Sequence, residues 1–337
     1  MLEQTQQQSG MRSRGNLLPV EKRFCWDEKS SPEPFLRLLD ALRQLNYQFV
    51  TPTPATHERV VSRPNRKQAR DVRDVLGWSL PFSPEVIPPY LLQLLYDAGG
   101  ILDRDDGLLN AAVRVSTVRG HLFLHSKYPT NDVDSVFLGP DSFRFAQLIM
   151  ARSDPLRVGD SILDYGAGAG VGGIIAAAAN PGTTVTLADV NPKALFLASI
   201  NAEFAKVSFR VVQANDIDEV SGEYDLILAN PPYMMDSERR VYRDGGDLYG
   251  TQLSLDWSLA GLRKLRPGGA LILYTGVPIV DGRDPLLDQF RARLPASGWQ
   301  WDYGELEPDV FGEELAQPAY SNVERIAAVG FKIKRAP

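Results

Sequence analysis

Cysteine is almost absent from this 337-residue chain: Cys25 stands alone, which excludes an intrachain disulfide and any all-cysteine metal site. Histidine is scarce too, limited to His57, His121 and His125. Long apolar runs are missing. The purest, Ile174 to Ala179, falls far short of the ~20 residues a membrane-spanning helix needs. The opening residues MLEQTQQQSGMRSRGN lack the apolar stretch of a signal peptide. No membrane partner and a cytoplasmic address are therefore expected. With 44% hydrophobic and 23% charged residues, collagen-like, coiled-coil and disordered classes drop out. At ~150 residues per domain the length suggests two domains.

Excess positive charge is also lacking. The net charge of −6 speaks against strong non-specific binding to nucleic acid. Residues 1–110 balance to zero, so the whole excess falls in 111–337. Within the first part, Arg59, Arg63, Arg66, Lys67, Arg70 and Arg73 crowd together, countered by Glu58, Asp71 and Asp74. This stretch reads as a solvated helix face, with an RNA-binding surface as the alternative.

Residues 1–30 are polar, rich in Gln and Ser, and without periodicity, as in a disordered tail. From Glu33, apolar residues at helical spacing (Phe35, Leu38, Leu39, Leu42) predict an amphipathic helix. Further helices are expected over Arg66–Leu76 and from Pro88 to the Gly99-Gly100 stop, giving a small helical domain over 31–110. Alternation at Val113, Val115 and Val118, then at Leu122 and Leu124 around Arg119-Gly120, predicts a β-hairpin connector within 111–136. His121 and His125 share a strand face there, but with only His57 elsewhere no metal site is expected. From 137 onward short strands alternate with helices: Ser161–Tyr165, Thr184–Ala188, Ser208–Gln213, Tyr224–Ala229 and Ala270–Tyr274, with helices over Pro192–Ala205 and Leu253–Leu265. That grammar means parallel βαβ units in an α/β, doubly wound, seven-stranded, mostly parallel sheet.

Chemistry-bearing residues gather at the strand ends. Asp164-Tyr165-Gly166-Ala167-Gly168-Ala169-Gly170 closes the first strand and opens a helix, so glycines let backbone pass close under a ligand. A carboxylate two residues before the first glycine suits a cationic ligand better than a pyrophosphate. S-adenosylmethionine (SAM), with its ammonium and sulfonium, is such a ligand. Asp189 ends the second strand, where a ribose-binding acid sits in such folds. Asp216, in Asn215-Asp216-Ile217 after the third strand, is placed to accept from an adenine amino group. Each Asp alone is also a possible helix cap. Asn230-Pro231-Pro232-Tyr233 ends the fourth strand. Its prolines remove backbone donors and stiffen the turn. The Asn230 side-chain oxygen and the Pro231 carbonyl can then accept from one planar –NH₂ group, holding its nitrogen in line with the sulfonium methyl. Tyr233 is expected to stack on the flat acceptor.

On these motifs, Ser161 to Gly276 resembles a class I SAM-dependent methyltransferase. YDLILANPPY is similar to the amino-methylating enzymes with an Asn/Asp-Pro-Pro-Tyr/Phe motif, above all the release-factor glutamine methyltransferases and the methyltransferase small domain family. Tyr242-Arg243-Asp244-Gly245-Gly246 is similar to the Asp-Gly-Gly loop of the glutamine enzymes. The resemblance implies a methyltransferase domain over 137–337 with SAM as cofactor. It implies cofactor contacts at Asp164, Gly166, Gly168, Gly170, Asp189, Val190, Asp216, Ile217 and Asn230. Catalytic positioning is implied at Asn230, Pro231, Pro232 and Tyr233, and acceptor contacts at Tyr233, Arg243 and Asp244. Phe137–Ser142 occupies the place where related enzymes cover the cofactor, though Asp141 or Ser142 can equally cap a helix there. The chain departs from the glutamine enzymes in having Gly-Pro-Asp-Ser for their Pro-Arg-Pro-Glu-Thr-like run. Its fifth strand also ends Leu273-Tyr274-Thr275-Gly276, without an acid. Trp299–Tyr303 and Arg325–Lys334 fit the closing antiparallel pair that methyltransferases add to the sheet. The expected activity is N-methylation of a planar amide or amino nitrogen in protein, nucleic acid or a small molecule. A SAM-using enzyme of another reaction type and a NAD-dependent oxidoreductase are the rivals.

Overall fold

A computed structural model describes residues 31–236 and 243–337. The expected tail over 1–30 lies outside the described residues, as does Tyr242. Four helices come first: α1 (Glu33–Gln44), α2 (Pro54–Val61), α3 (Val72–Leu76) and α4 (Pro89–Asp97). α1 lays Phe35, Leu38, Leu39 and Leu42 inward, against α4 and a helix of the second part; each such side chain contributes about 1.5–3 kcal/mol on full burial. The helix expected over Arg66–Leu76 begins only at Val72. Asp71 caps it, accepting from Asp74 N at 2.8 Å, and a capping Asp favours extended backbone at its own position. α2 has its own start signal, Thr53 accepting from Thr56 N at 3.2 Å with Pro54 in the first turn. The basic stretch is divided as well. Arg66 is buried and pairs with the fully buried Asp74 at 2.9 Å, whereas Arg59, Arg63 and Lys67 are exposed.

Two small antiparallel pairs follow. β1 (Ile101–Asp103) pairs with β2 (Leu109–Ala111), so the end of the first part is not wholly helical. β3 (Val113–Val118) and β4 (His121–Ser126) form the expected hairpin, with Val118 opposite His121. The hairpin is fastened to the second part by the buried Asn201. Its side chain accepts from Leu124 N at 2.8 Å and donates to Leu124 O and to Ala169 O.

The second part starts with α5 (Pro140–Arg152). It continues as β5 (Ser161–Tyr165), α6 (Val171–Ala179), β6 (Thr184–Asp189), α7 (Pro192–Phe204), β7 (Ser208–Gln213) and β8 (Tyr224–Ala229). Then come α8 (Gln252–Leu262), β9 (Leu265–Ile279), α9 (Pro285–Arg293), β10 (Trp299–Glu307) and β11 (Arg325–Arg335). The seven strands run in the order β10-β11-β9-β8-β5-β6-β7. β5 to β9 are parallel, as the alternating grammar predicts, and β11 runs antiparallel between β9 and β10. β9 is longer than expected because Pro267-Gly268-Gly269 lies inside it. A register shift between Tyr224 and Leu226 accommodates those residues. Among the described residues no helix is long and apolar enough to cross a membrane.

The strand order places the site. From β5 the chain builds outward through β6 and β7, then returns to place β8 on the other side of β5. Connections leaving the carboxyl ends of β5 and β8 therefore diverge, and in open α/β sheets that crevice is where ligands bind.

Candidate active site

A cavity of about 510 Å³ opens at that crevice. The turn after β5 (Tyr165 to Ala169), Asp189 to Asn191 after β6, and Asn230 to Met234 after β8 all line it. Pro54 of α2 and Tyr128 to Asn131 after the hairpin close it from the amino-terminal side.

At one end lie two carboxylates with no basic partner among the described residues. Asp164 is 2% exposed, and its Oδ2 accepts from Gly173 N at 2.7 Å. Burial pushes its carboxyl up to about 7, the Gly173 hydrogen bond opposing and the nearby Asp189 charge adding to the rise. Asp189 accepts from Gly168 N through Oδ2 and from Asn191 N through Oδ1, both at 2.9 Å. Its pKa is raised by desolvation, against those backbone hydrogen bonds. Each carboxylate oxygen has two lone pairs, so Asp189 keeps one free acceptor site per oxygen. Gly166, Gly168 and Val190 line the cavity beside these acids.

Three expected contacts stand off it. Asp216 is exposed and turns onto its own segment, accepting from Asp218 N at 2.8 Å; Ala214 and Asn215 line the cavity instead. Ile217 is buried in a core cluster with Ile227 and Leu271 and does not line the cavity. Gly170 begins α6 and lies against Ile174 and Ala198. Trp257 of α8 was not legible as a site residue, yet it lines this end, edge-on to Tyr165 at 4.5 Å.

At the other end the Asn-Pro-Pro-Tyr turn meets the cavity with all four residues. The Asn230 side chain makes no hydrogen bond among the described residues, and Asn230 lines the cavity. Tyr233 is held firmly. Its hydroxyl donates to Asp141 Oδ2 at 2.6 Å, and the Tyr274 hydroxyl donates to Asp141 Oδ1 at 2.7 Å. Arg144 adds a contact to Asp141 at 3.2 Å and pairs with Glu307 at 2.6 Å. Burial pushes the Asp141 carboxyl up while these donors pull it down. The Phe137–Ser142 segment makes a local contact at the start of α5 and also reaches the cavity. Ser142 Oγ accepts from Gly139 N at 3.4 Å, whereas Phe137, Asp141 and Ser142 line the cavity.

β9 runs on past the expected end to Ile279, and the glycine at 276 within it has its reason here. A Cβ at Gly276 would lie 2.4 Å from the Tyr233 ring, so the ring occupies the space a side chain would take. The Asp-Gly-Gly loop docks by backbone: Met234 N donates to Arg243 O, and Gly245 N to Met234 O at 2.9 Å. A Cβ at Gly245 would fall 1.7 Å from Gly250 O, a distance no side chain survives. Arg243 lines the cavity, and its guanidinium reaches Glu314 at 2.5 Å. Asp244 does not line it, and instead accepts from Gly246 N at 3.3 Å. Phe311 completes this end, its ring 6.2 Å from that of Tyr233 and tilted 57°.

Fold and site together describe a doubly wound α/β protein with an acid-lined cavity ending at an Asn-Pro-Pro-Tyr turn. Residues 146–243 match the family model "Methyltransferase small domain", which bears out the family resemblance over that segment. The chain is 34% identical over 164 residues to the "Release factor glutamine methyltransferase" of Deinococcus radiodurans, covering 45% of this chain and 55% of that protein. It is 31% identical over 87 residues to the "Ribosomal RNA small subunit methyltransferase C" of Pseudoalteromonas atlantica, 26% of this chain and 25% of that protein. It thus spans about half the length or less of these curated relatives. A methyltransferase from Pyrococcus furiosus superposes with a TM-score of 0.41 at 18% identity, over 60% of this chain and 89% of that one.

Proposed function

We propose that the protein is a SAM-dependent N-methyltransferase acting on a planar amide or amino nitrogen, in a glutamine side chain or a nucleobase. One observation carries this reading: a single cavity joins two carboxylates without basic partners to the Asn-Pro-Pro-Tyr turn. Carboxylates at that end favour a cation, which SAM supplies as ammonium and sulfonium and a dinucleotide does not. Asp189, with one lone pair free on each oxygen, accepts from the two ribose hydroxyls. Tyr165 and Trp257 give the base an aromatic neighbourhood.

At the turn, Asn230 Oδ1 and the Pro231 carbonyl accept from the acceptor –NH₂ and point its lone pair at the methyl. As the C–N bond forms and the C–S bond breaks, positive charge moves onto nitrogen, and these two acceptors stabilise it where it develops. The nitrogen sheds its extra proton after transfer, so no strong base is required. Pro232 stiffens the turn, and Tyr233, fixed by Asp141, keeps its shape. Residues 31–110 with the 111–136 connector roof the cavity, and 137–337 carry the reaction. A cytoplasmic address accords with the single cysteine.

The test is Asn230→Ala. Calorimetry should show SAM binding within about two-fold of wild type, while transfer of labelled methyl into cell-extract fractions falls ~100-fold or more, the scale of losing one preorganised transition-state contact. Full methyl transfer by Asn230→Ala would reject the assignment. NAD binding in place of SAM would reject the cofactor.

A further inference from the structure

The connection between β10 and β11, residues 308–324, is no part of the nucleoside pocket or of the Asn-Pro-Pro-Tyr turn, yet it reaches the acceptor end. It is tied there at three points. Glu314 accepts from Arg243 at 2.5 Å, the Tyr320 hydroxyl accepts from Met235 N at 2.8 Å, and Asn322 donates to the Tyr249 hydroxyl at 2.9 Å. All three partners lie within or beside the segments that hold Tyr233.

Three residues before the first of these ties sits Phe311, with φ 56° and ψ 38°. A bulky residue in the left-handed region is a backbone outlier, and strain of this kind persists where surrounding structure enforces it and function uses it. Phe311 is only partly buried against the core, so core packing alone gives no reason for the strain. What the strained backbone achieves is a ring that lines the cavity and leans on Tyr233.

The geometry points to Phe311 as the specificity-determining wall of the acceptor slot, admitting a flat sp² nitrogen group and turning away tetrahedral amines. This rests on the N-methyltransferase reading and adds the residue that selects planarity. Tyr233 is immobilised by Asp141 and backed by Gly276, so it forms the fixed side. Phe311, on a tethered connection and in tilted contact with the Tyr233 ring, forms the adjoining wall and sets the width. Aromatic faces bind flat groups well and crowd out rounded ones.

The experiment uses the full chain with methyl-labelled SAM and the protein, RNA, DNA and small-molecule fractions of a cell extract, with KM taken against whichever fraction is labelled. Phe311→Ala should raise KM for that fraction about ten-fold while calorimetric SAM affinity stays within two-fold. Phe311→Tyr should restore KM to within three-fold of wild type. An unchanged KM in Phe311→Ala, whatever kcat does, overturns the proposal, as does a ten-fold loss of SAM affinity. Should Phe311→Ala not fold, Glu314→Gln decides: a KM raised about three-fold supports the wall, and an unchanged KM rejects it. A wild-type enzyme that labels no fraction is a different result, which rejects the N-methylation reading and the slot with it.

Discussion

The two ends of the cavity are built by different means. At the cofactor end, Asp164 and Asp189 lie at the carboxyl ends of adjacent strands, and the donors holding them, Gly173 N, Gly168 N and Asn191 N, are backbone groups of neighbouring turns. At the acceptor end, Tyr233 is fixed by an acid 92 residues earlier, which also holds a tyrosine 133 residues later. Phe311 comes from yet another connection. The first end follows from the fold, since any chain making these turns presents similar N–H groups. The second depends on side chains assembled from afar, which can change one at a time.

The largest expected effect separates the two ends. Asp189→Ala removes both free acceptor sites at the ribose and the anchor for Gly168 N. At about 1.5–3 kcal/mol per hydrogen bond to a charged group, SAM affinity should fall ~100-fold or more by calorimetry, with acceptor KM little changed at saturating SAM. An equal loss at both ends would break the comparison. Asp141→Asn is the counterpart. An amide offers one acceptor oxygen where two hydroxyls need one each, so Tyr233 or Tyr274 loses its hold. A fall in kcat of roughly ten- to thirty-fold is expected, with SAM affinity within two-fold.

A third prediction uses pH. The carboxyl of Asp164 is raised to about 7 by burial, and a cationic ligand requires its ionised form. SAM affinity should therefore weaken about ten-fold per pH unit below 7, and this dependence should vanish in Asp164→Asn. The sign for stability runs the other way. With the folded pKa above the unfolded value of ~3.9, the stabilising contribution is complete below that value and is lost as pH rises through about 7. The ligand-free Asp164→Asn protein should thus unfold at higher temperature than wild type at pH 8, and the gap should close toward pH 5. A wild type whose SAM affinity is flat between pH 5 and 8 would show that Asp164 does not meet the cation.

The same division decides what was legible in the sequence. β5, β7 and β8 begin and end where the short runs between turn residues place them. Asp164, Asp189 and Asn230–Tyr233 were identifiable because strand ends announce themselves through Gly, Asn and Pro. Asp216 illustrates the limit: its position after β7 is legible, but not that its side chain accepts from its own turn at Asp218 N. Phe311, Trp257 and the Asp141–Tyr274 pairing carried no local signal, because each owes its place to contacts between segments far apart in the chain. The Gly276 departure was visible but had no meaning until the Tyr233 ring was seen in the space a Cβ would fill.

The smallest effect tests the acceptor end most finely. Tyr274→Phe deletes one hydroxyl and leaves Asp141 held by Tyr233 and Arg144. The deleted bond is a hydrogen bond to a buried carboxylate, and losing it costs about 1.5–3 kcal/mol. That corresponds to a melting temperature lower by roughly 2–4 °C in a chain of this size. With one donor fewer the Asp141 carboxyl should titrate higher, because Tyr274 is among the groups that lower it. The Tyr233 hydroxyl still reaches Oδ2, so the ring stays in place and kcat should fall only two- to five-fold, most at low pH where Asp141 begins to protonate. SAM affinity should not move. A loss as deep as that of Asp141→Asn would mean that Tyr274 itself shapes the slot. No loss at all would mean that Tyr233 needs only one anchor, and that the second hydroxyl serves to keep a buried acid ionised.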